Sequence, residues 1–174
     1  SAEKVASRKE TPSTLVSYAG LLSSSGYPSR AVRIYKDKEA DWVKKDKNLL
    51  TAYRKGRDQY AVSCGACHQA DGKGLPNMAP TLAKSDWVTG DANRLIGVAV
   101  HGLMGPIKVN GKVIEGVPPI MPPDGFMRDE QLANILTYVR NAWGNKADSI
   151  SSDDIAGYRH NQAKRISPWT ESEF

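Results

Sequence analysis

The residues with the most chemistry in this 174-residue chain stand together, as Cys64-Gly65-Ala66-Cys67-His68. The chain has only these two cysteines. Two thiols one helical turn apart can add to the two vinyl groups along one edge of a porphyrin. The adjacent imidazole then meets the iron as its proximal ligand, which is the C-x-x-C-H pattern of covalent c-type haem attachment. Two other chemistries share parts of the pattern. A thioredoxin-type dithiol also reads C-x-x-C, but it needs a parallel-sheet βαβ context, and here the motif ends a helical pattern with no Val/Ile-rich strand before it. A structural zinc site needs four ligands, and beyond the cysteines the chain offers three histidines, one of them adjacent to Cys67. Haem c, one group held through Cys64 and Cys67, is the reading carried forward.

Such a haem needs a second axial ligand, and the ligand decides between carrying electrons and binding gases or peroxide. A methionine thioether favours the ferrous state, raises the potential and blocks small molecules. The chain has four methionines. Met78, ten residues past His68, reads as packing; Met104, after His101-Gly102 in an apolar run, is a second candidate; Met127 is close to a helix start. Met121 lies in Pro118-Pro119-Ile120-Met121-Pro122-Pro123, 53 residues beyond His68, far enough to cross to the other haem face. Prolines stiffen the backbone on either side and reduce the entropy lost in holding the sulfur. Met121 is therefore the expected partner of His68. His101 competes as a bis-histidine ligand, although a lone histidine in an apolar run is more often a hydrogen-bonded structural residue.

The elements that must position these groups are mostly helical. A helix should start near Asp46 and carry Leu49, Leu50, Tyr53, Gly56, Tyr60 and Ala61 at spacings of three and four, directly into CGACH. Residues 69–128 are glycine- and proline-rich, with one hairpin signal, IKVNGKVI, around Asn110-Gly111. A strong helix follows, capped by Asp129, with Leu132, Ile135, Leu136, Val139 and Trp143 as its buried stripe and Gly144 as its stop. Another capped helix begins in SISSDDIAGYRHNQAKR, with His160 on its surface. Upstream, Ser13 or Thr14 can cap a short helix carrying Leu15, Tyr18, Leu21 and Leu22, and a second amphipathic stretch runs through Val32 and Tyr35.

Composition narrows the class. Forty per cent hydrophobic and 25% charged residues suit a folded domain, and exclude wholesale disorder, a collagen-like repeat or a disulfide-dense miniprotein. No stretch reaches the roughly 18 apolar residues of a membrane span; the best candidate, residues 95–107, is broken by His101 and four glycines and prolines. No signal sequence opens the chain, which reads as a mature protein or an excised piece. The net charge of +5 is concentrated between Arg30 and Arg57, where ten basic residues meet four acidic ones. That segment either steers an acidic redox partner or is a solvated helical face. Nucleic acid is a poor partner, because acids interleave the bases and no recognition motif accompanies them. From Cys64 to Met127 five positive charges cancel five negative ones, so docking near the haem should be mainly apolar and weakly salt-dependent.

With CGACH, the Gly56/Tyr60 spacing before it and the methionine loop before the last strong helix, the chain resembles the class I c-type cytochromes from about Asp46 to Gly144. The resemblance implies a mostly α fold in which the helix before the haem motif crosses the C-terminal helix, Gly56 and Tyr60 meeting Ile135 and Tyr138, while loops wrap the haem. It implies that the Pro80 carbonyl accepts the His68 imidazole N–H, and that Trp87 can reach a haem propionate through its indole N–H, with core packing as the alternative. Arg94 could neutralise a propionate, a solvated helix face being the simpler reading. Residues 74–123, followed by TYVRNAWGN, and the tail with Arg165 and Pro168-Trp169-Thr170 are similar to cytochrome domains that accompany or are fused to periplasmic quinoprotein sugar or alcohol dehydrogenases. The implied organisation is an N-terminal extension at 1–45, a cytochrome domain at 46–144 and a C-terminal extension at 145–174. The implied role is a periplasmic single-electron carrier, not itself an enzyme, between a dehydrogenase donor and a cytochrome or oxidase acceptor. The alternative is a haem enzyme or gas sensor with a labile distal ligand.

Overall fold

A computed structural model describes residues 38–76, 78–114 and 121–174. The expected upstream helices, the first part of the basic segment and the prolines at 118 and 119 lie outside these residues.

Helix α1 (Asp41–Lys45) leads into α2 (Lys47–Ser63). Asp46 starts α2 as expected: its Oδ1 accepts the backbone N–H groups of Asn48 and Leu49, at 2.8 and 3.1 Å, satisfying two of the donors a helix start leaves open. The chain turns at Cys64 into the single-turn α3 (Gly65–His68). Helices α4 (Asp86–Thr89) and α5 (Ala92–His101) follow, capped by Ser85 and Asp91 side chains. The predicted hairpin pairs β1 (Ile107–Val109) with β2 (Lys112–Ile114), Ile107 opposite Ile114. Its turn places Asn110 and Gly111 at φ 51° and 77°, the positive-φ pair that a two-residue hairpin loop requires. Helices α6 (Asp129–Asn141) and α7 (Ser152–Asn161) and a 3₁₀ turn (Glu171–Glu173) complete the described chain.

The frame is the crossing of α2 and α6, the most extensive contact between elements among the described residues. A Cβ on Gly56 would overlap the Asn134 carbonyl and come within 2.8 Å of Tyr138 Cβ, so the two backbones meet where only glycine fits. Around this point Tyr138 stands edge-on to Tyr53 with centroids 4.9 Å apart, and lies 5.3 Å from Tyr60. Tyr138 is the expected partner. Beside Gly56, however, the contact is Asn134, while Ile135 turns to the cavity described below.

Three local expectations are corrected. Asp129 does not cap α6; it is the first helical residue, and its carboxylate is drawn 3.0 Å from the Arg159 guanidinium of α7. The helix ends at Asn141, before Gly144: Ala142 is already extended, with ψ 164°, and Trp143 follows at a positive φ of 54°, out of the helical path. There its indole N–H donates to Ala70 O at 2.8 Å and its ring covers Gly72. Met78, expected to pack, is 59% exposed, since it lies in the tight turn where Leu75 pairs with Ala79.

Both expected domain boundaries are crossed by the core. Val43 and Ile155, fully buried, belong to the same apolar cluster as Tyr53, Ile96 and Leu132. Arg140, 4% exposed, ties α6 to the rest by donating to the carbonyls of Val88, Gly90 and Asp148. On the basic face, Arg54 and Arg57 share Glu39, and Lys55 pairs with Glu130 at 3.0 Å. Arg54 holds the Glu39 carboxyl below its ordinary pKa, so these cations are largely answered within the chain.

Candidate functional site

An apolar cavity of about 80 Å³, partly open to solvent, lies between α6, α5, the hairpin and the CGACH motif. Leu132, Ile135, Leu136 and Val139 of α6, Leu95, Val98 and Ala99 of α5, and Ile107 and Val109 of β1 supply its hydrocarbon wall, and Cys64 and His68 reach it from the motif. The alternation of β1 thus does local work: Ile107 and Val109 face inward, and Lys108 between them faces solvent.

His68 is buried, and its Nδ1 is 3.2 Å from the carbonyl of Pro80. Burial lowers its pKa, so the ring is neutral; with Nδ1–H donating to Pro80, Nε2 keeps its lone pair for a metal. Gly74 makes this possible, for its N–H donates to His68 O and a Cβ there would collide with the Ala79–Pro80 backbone. The Cys64 thiol is pushed up to about 12, chiefly by burial and further by Asp124 and Cys67. A redox-active or metal-binding thiol needs the opposite, a thiolate favoured by nearby positive charge. No cluster of three metal-ligating side chains occurs among the described residues, which also removes the zinc alternative there. Cys64 lines the cavity, whereas Cys67 is exposed and does not line it.

Of the four methionines, Met121 and Met127 line the cavity. Met121 is fastened by its backbone: its N–H donates to Leu103 O and its carbonyl accepts from Leu103 N–H, both at 3.0 Å. Met104 does not line the cavity, and neither does His101, whose ring lies 6.1 Å from Tyr158 and whose buried Nε2 has no partner among the described residues. His160 is exposed, as expected. Trp87 lines the cavity with its ring, but its indole N–H donates to Lys108 O at 2.6 Å. That hydrogen is committed to the hairpin, which favours the second of the two readings, a tryptophan that packs in the wall. Arg94 stacks its guanidinium 4.6 Å from the Trp87 ring and donates to Asp86 O, so it braces that wall.

Asp124 went unnoticed in the sequence, since a lone aspartate after two prolines reads as a turn. It is the one carboxylate among the lining residues, with no side-chain hydrogen bond or ion pair among the described residues. Burial raises its pKa. A folded-state pKa above the unfolded one favours folding when the group is protonated, so stability is full below the unfolded pKa and falls as pH rises through the folded one. Asp124→Asn should therefore raise the melting temperature of the haem-loaded protein at neutral pH and flatten its decline on leaving acid. An unchanged pH profile of thermal unfolding would show that the carboxylate is compensated.

The hydrocarbon lining, and the presence in it of both Cys64 and His68, fit a covalently attached porphyrin. Comparison with known proteins agrees. The family profile described as Cytochrome c matches residues 53–143. The chain is 31% identical over 126 residues to cytochrome c-552 of Thermus thermophilus, covering 69% of this chain and 82% of that protein. It is 30% identical to the cytochrome c subunit of the quinone alcohol dehydrogenase of Gluconacetobacter polyoxogenes, covering 63% of this chain and 23% of the subunit. It is 31% identical to subunit CcoP of the cbb3-type cytochrome c oxidase of Azospirillum, covering 64% and 38%. The chain thus belongs to the cytochrome c family, a mostly helical class I cytochrome whose Cys64 and Cys67 carry haem c.

Proposed function

We propose that this protein is a single-electron carrier whose haem iron is ligated by His68 and Met121, taking electrons from a dehydrogenase and passing them to another cytochrome or an oxidase outside the bacterial cytoplasm. The haem supplies one-electron iron chemistry; the polypeptide supplies fixed ligands and a dry surrounding. The observation that carries this reading is that Met121 and His68 line one apolar cavity and each is tied to backbone, Met121 through the paired bonds to Leu103 and His68 through Pro80. Ligands held in this way keep nearly the same positions in both oxidation states, so little rearrangement accompanies transfer. Met127 lies in the same wall but is packed in the main core, only 7% exposed.

Chemistry on peroxide would call for a positioned acid–base pair. Among the described lining residues there is no second histidine and no arginine, and Asp124 stands alone. No helix among the described residues is long and apolar enough to cross a membrane. Supporting these partner classes, one relative is a subunit of a quinone alcohol dehydrogenase and another a subunit of a cytochrome c oxidase. Pro80 is the residue that orients His68, and the Trp87 ring serves as a flat wall for the macrocycle. Adding carbon monoxide to the reduced protein tests the assignment. An unchanged spectrum is expected, whereas rapid binding would overturn it in favour of a gas- or peroxide-binding haem with an open distal side.

A further inference from the structure

We propose that the C-terminal segment Pro168–Phe174 is a working part of the methionine site: Trp169 adds a third strand to the ladder that holds Met121 and is a positioning residue for that ligand. The inference rests on the assignment of Met121 as an axial ligand.

The hydrogen bonds alternate along the Leu103 strand. Leu103 spends its own N–H and carbonyl on Met121, while the groups on either side of it, Gly102 O and Met104 N–H, point the other way. Trp169 satisfies both: its N–H donates to Gly102 O at 3.0 Å, and its carbonyl accepts from Met104 N–H at 2.8 Å. The result is an antiparallel bridge from Leu103 to Met121 and a parallel bridge from Leu103 to Trp169. Leu103 is thus the middle strand, with the candidate ligand on one side and the tail on the other. Each bridge is one residue long, and even a two-stranded hairpin is marginal by itself, so the bridge to Met121 gains from pairing on the second side of Leu103.

Met121 depends on this ladder more than an ordinary loop residue would. Pro122 and Pro123 have no N–H to donate. After Met121, the next backbone donor to be satisfied is Asp124 N, on Ala99 O at 2.8 Å. Gly102 sits at φ 83°, and a Cβ there would lie 2.6 Å from Met121 O, so the two segments touch at backbone level.

The tail is itself anchored rather than trailing. Arg165 stacks its guanidinium 3.4 Å from the Trp169 ring centroid and donates to Pro168 O and to Glu173. Glu171 accepts the N–H of Lys108 in β1 at 3.0 Å. Phe174 packs on Trp169 and, edge-on, on Trp87. Trp169 also packs against the apolar cluster that contains Trp87, Val98, Leu103, Ile107 and Val109, the same cluster that Met121 packs against. An end that merely covered surface would need none of the backbone pairing.

The test uses the haem-loaded chain of residues 1–174 alongside a form ending at Ser167, Trp169→Ala, Trp169→Phe and Met121→Ala. The readouts are the thioether–ferric charge-transfer band of the oxidised protein and the rate of carbon monoxide binding to the reduced one. Removing residues 168–174 should weaken the band and speed carbon monoxide binding at least tenfold. Trp169→Ala, which keeps the chain length, should show the same changes in smaller degree and so decides the matter should the shortened form fail to accumulate. Trp169→Phe should restore wild-type behaviour. If Met121→Ala abolishes the band while the shortened form and Trp169→Ala keep it with wild-type carbon monoxide kinetics, the tail proposal fails alone. If Met121→Ala itself retains the band, the ligand assignment fails and this inference falls with it.

Discussion

Met121→Ala should give a protein that still carries its covalent haem, because Cys64 and Cys67 are untouched, but whose potential has fallen and whose iron accepts added ligands. Axial ligand identity moves haem potentials over a range of about 0.8 V, and losing a thioether that favours the ferrous state should lower this one by on the order of 0.1 V. The fold should survive. Met121 is only half-buried, and the backbone bonds to Leu103 do not need its side chain. Spectroelectrochemical titration of variant and parent measures the fall, and carbon monoxide or imidazole binding measures the opening. Persistence of the charge-transfer band would move the ligand to Met127, the other methionine in the wall.

Replacing His68 by alanine should have the larger effect and should act earlier. The imidazole is buried, held by Pro80 O, and borne on the same single turn as both thiols, so it is placed to align the porphyrin while the sulfurs add. Without it, most of the haem-bearing protein should fail to mature in a host equipped for cytochrome assembly. Haem-stained yield against total polypeptide is the measurement. A normal yield of His68→Ala holoprotein would show that alignment comes from the cavity walls alone.

What could be read from the sequence was local in origin. Asp46 two residues before Asn48, the Asn110-Gly111 turn and the Leu132–Ile135–Leu136–Val139 stripe each encode their geometry within one or two turns of chain, and each appears in the structure. The motif at Cys64–His68 is legible for the same reason. What could not be read depends on partners distant in sequence. Trp87 keeps its place in the wall but loses its N–H to Lys108, 21 residues away. Trp143 leaves its helix to reach Ala70, 73 residues away. Asp129 abandons its cap for Arg159, and Asp124 became interesting only when the cavity closed around it. The tail is the clearest case. Nothing in SPWTESEF indicates that Trp169 pairs with Leu103, because a single bridge leaves no periodic trace.

Gly56 carries a last implication. Helix α6 meets α2 through Asn134 and Tyr138 on one side and lines the cavity with Leu132, Ile135, Leu136 and Val139 on another. The missing methyl at position 56 is therefore a gauge for the slot as well as a fit between two rods. Any spacer inserted there would carry four wall residues with it, so the spacing of the cavity wall constrains a residue that does not line it.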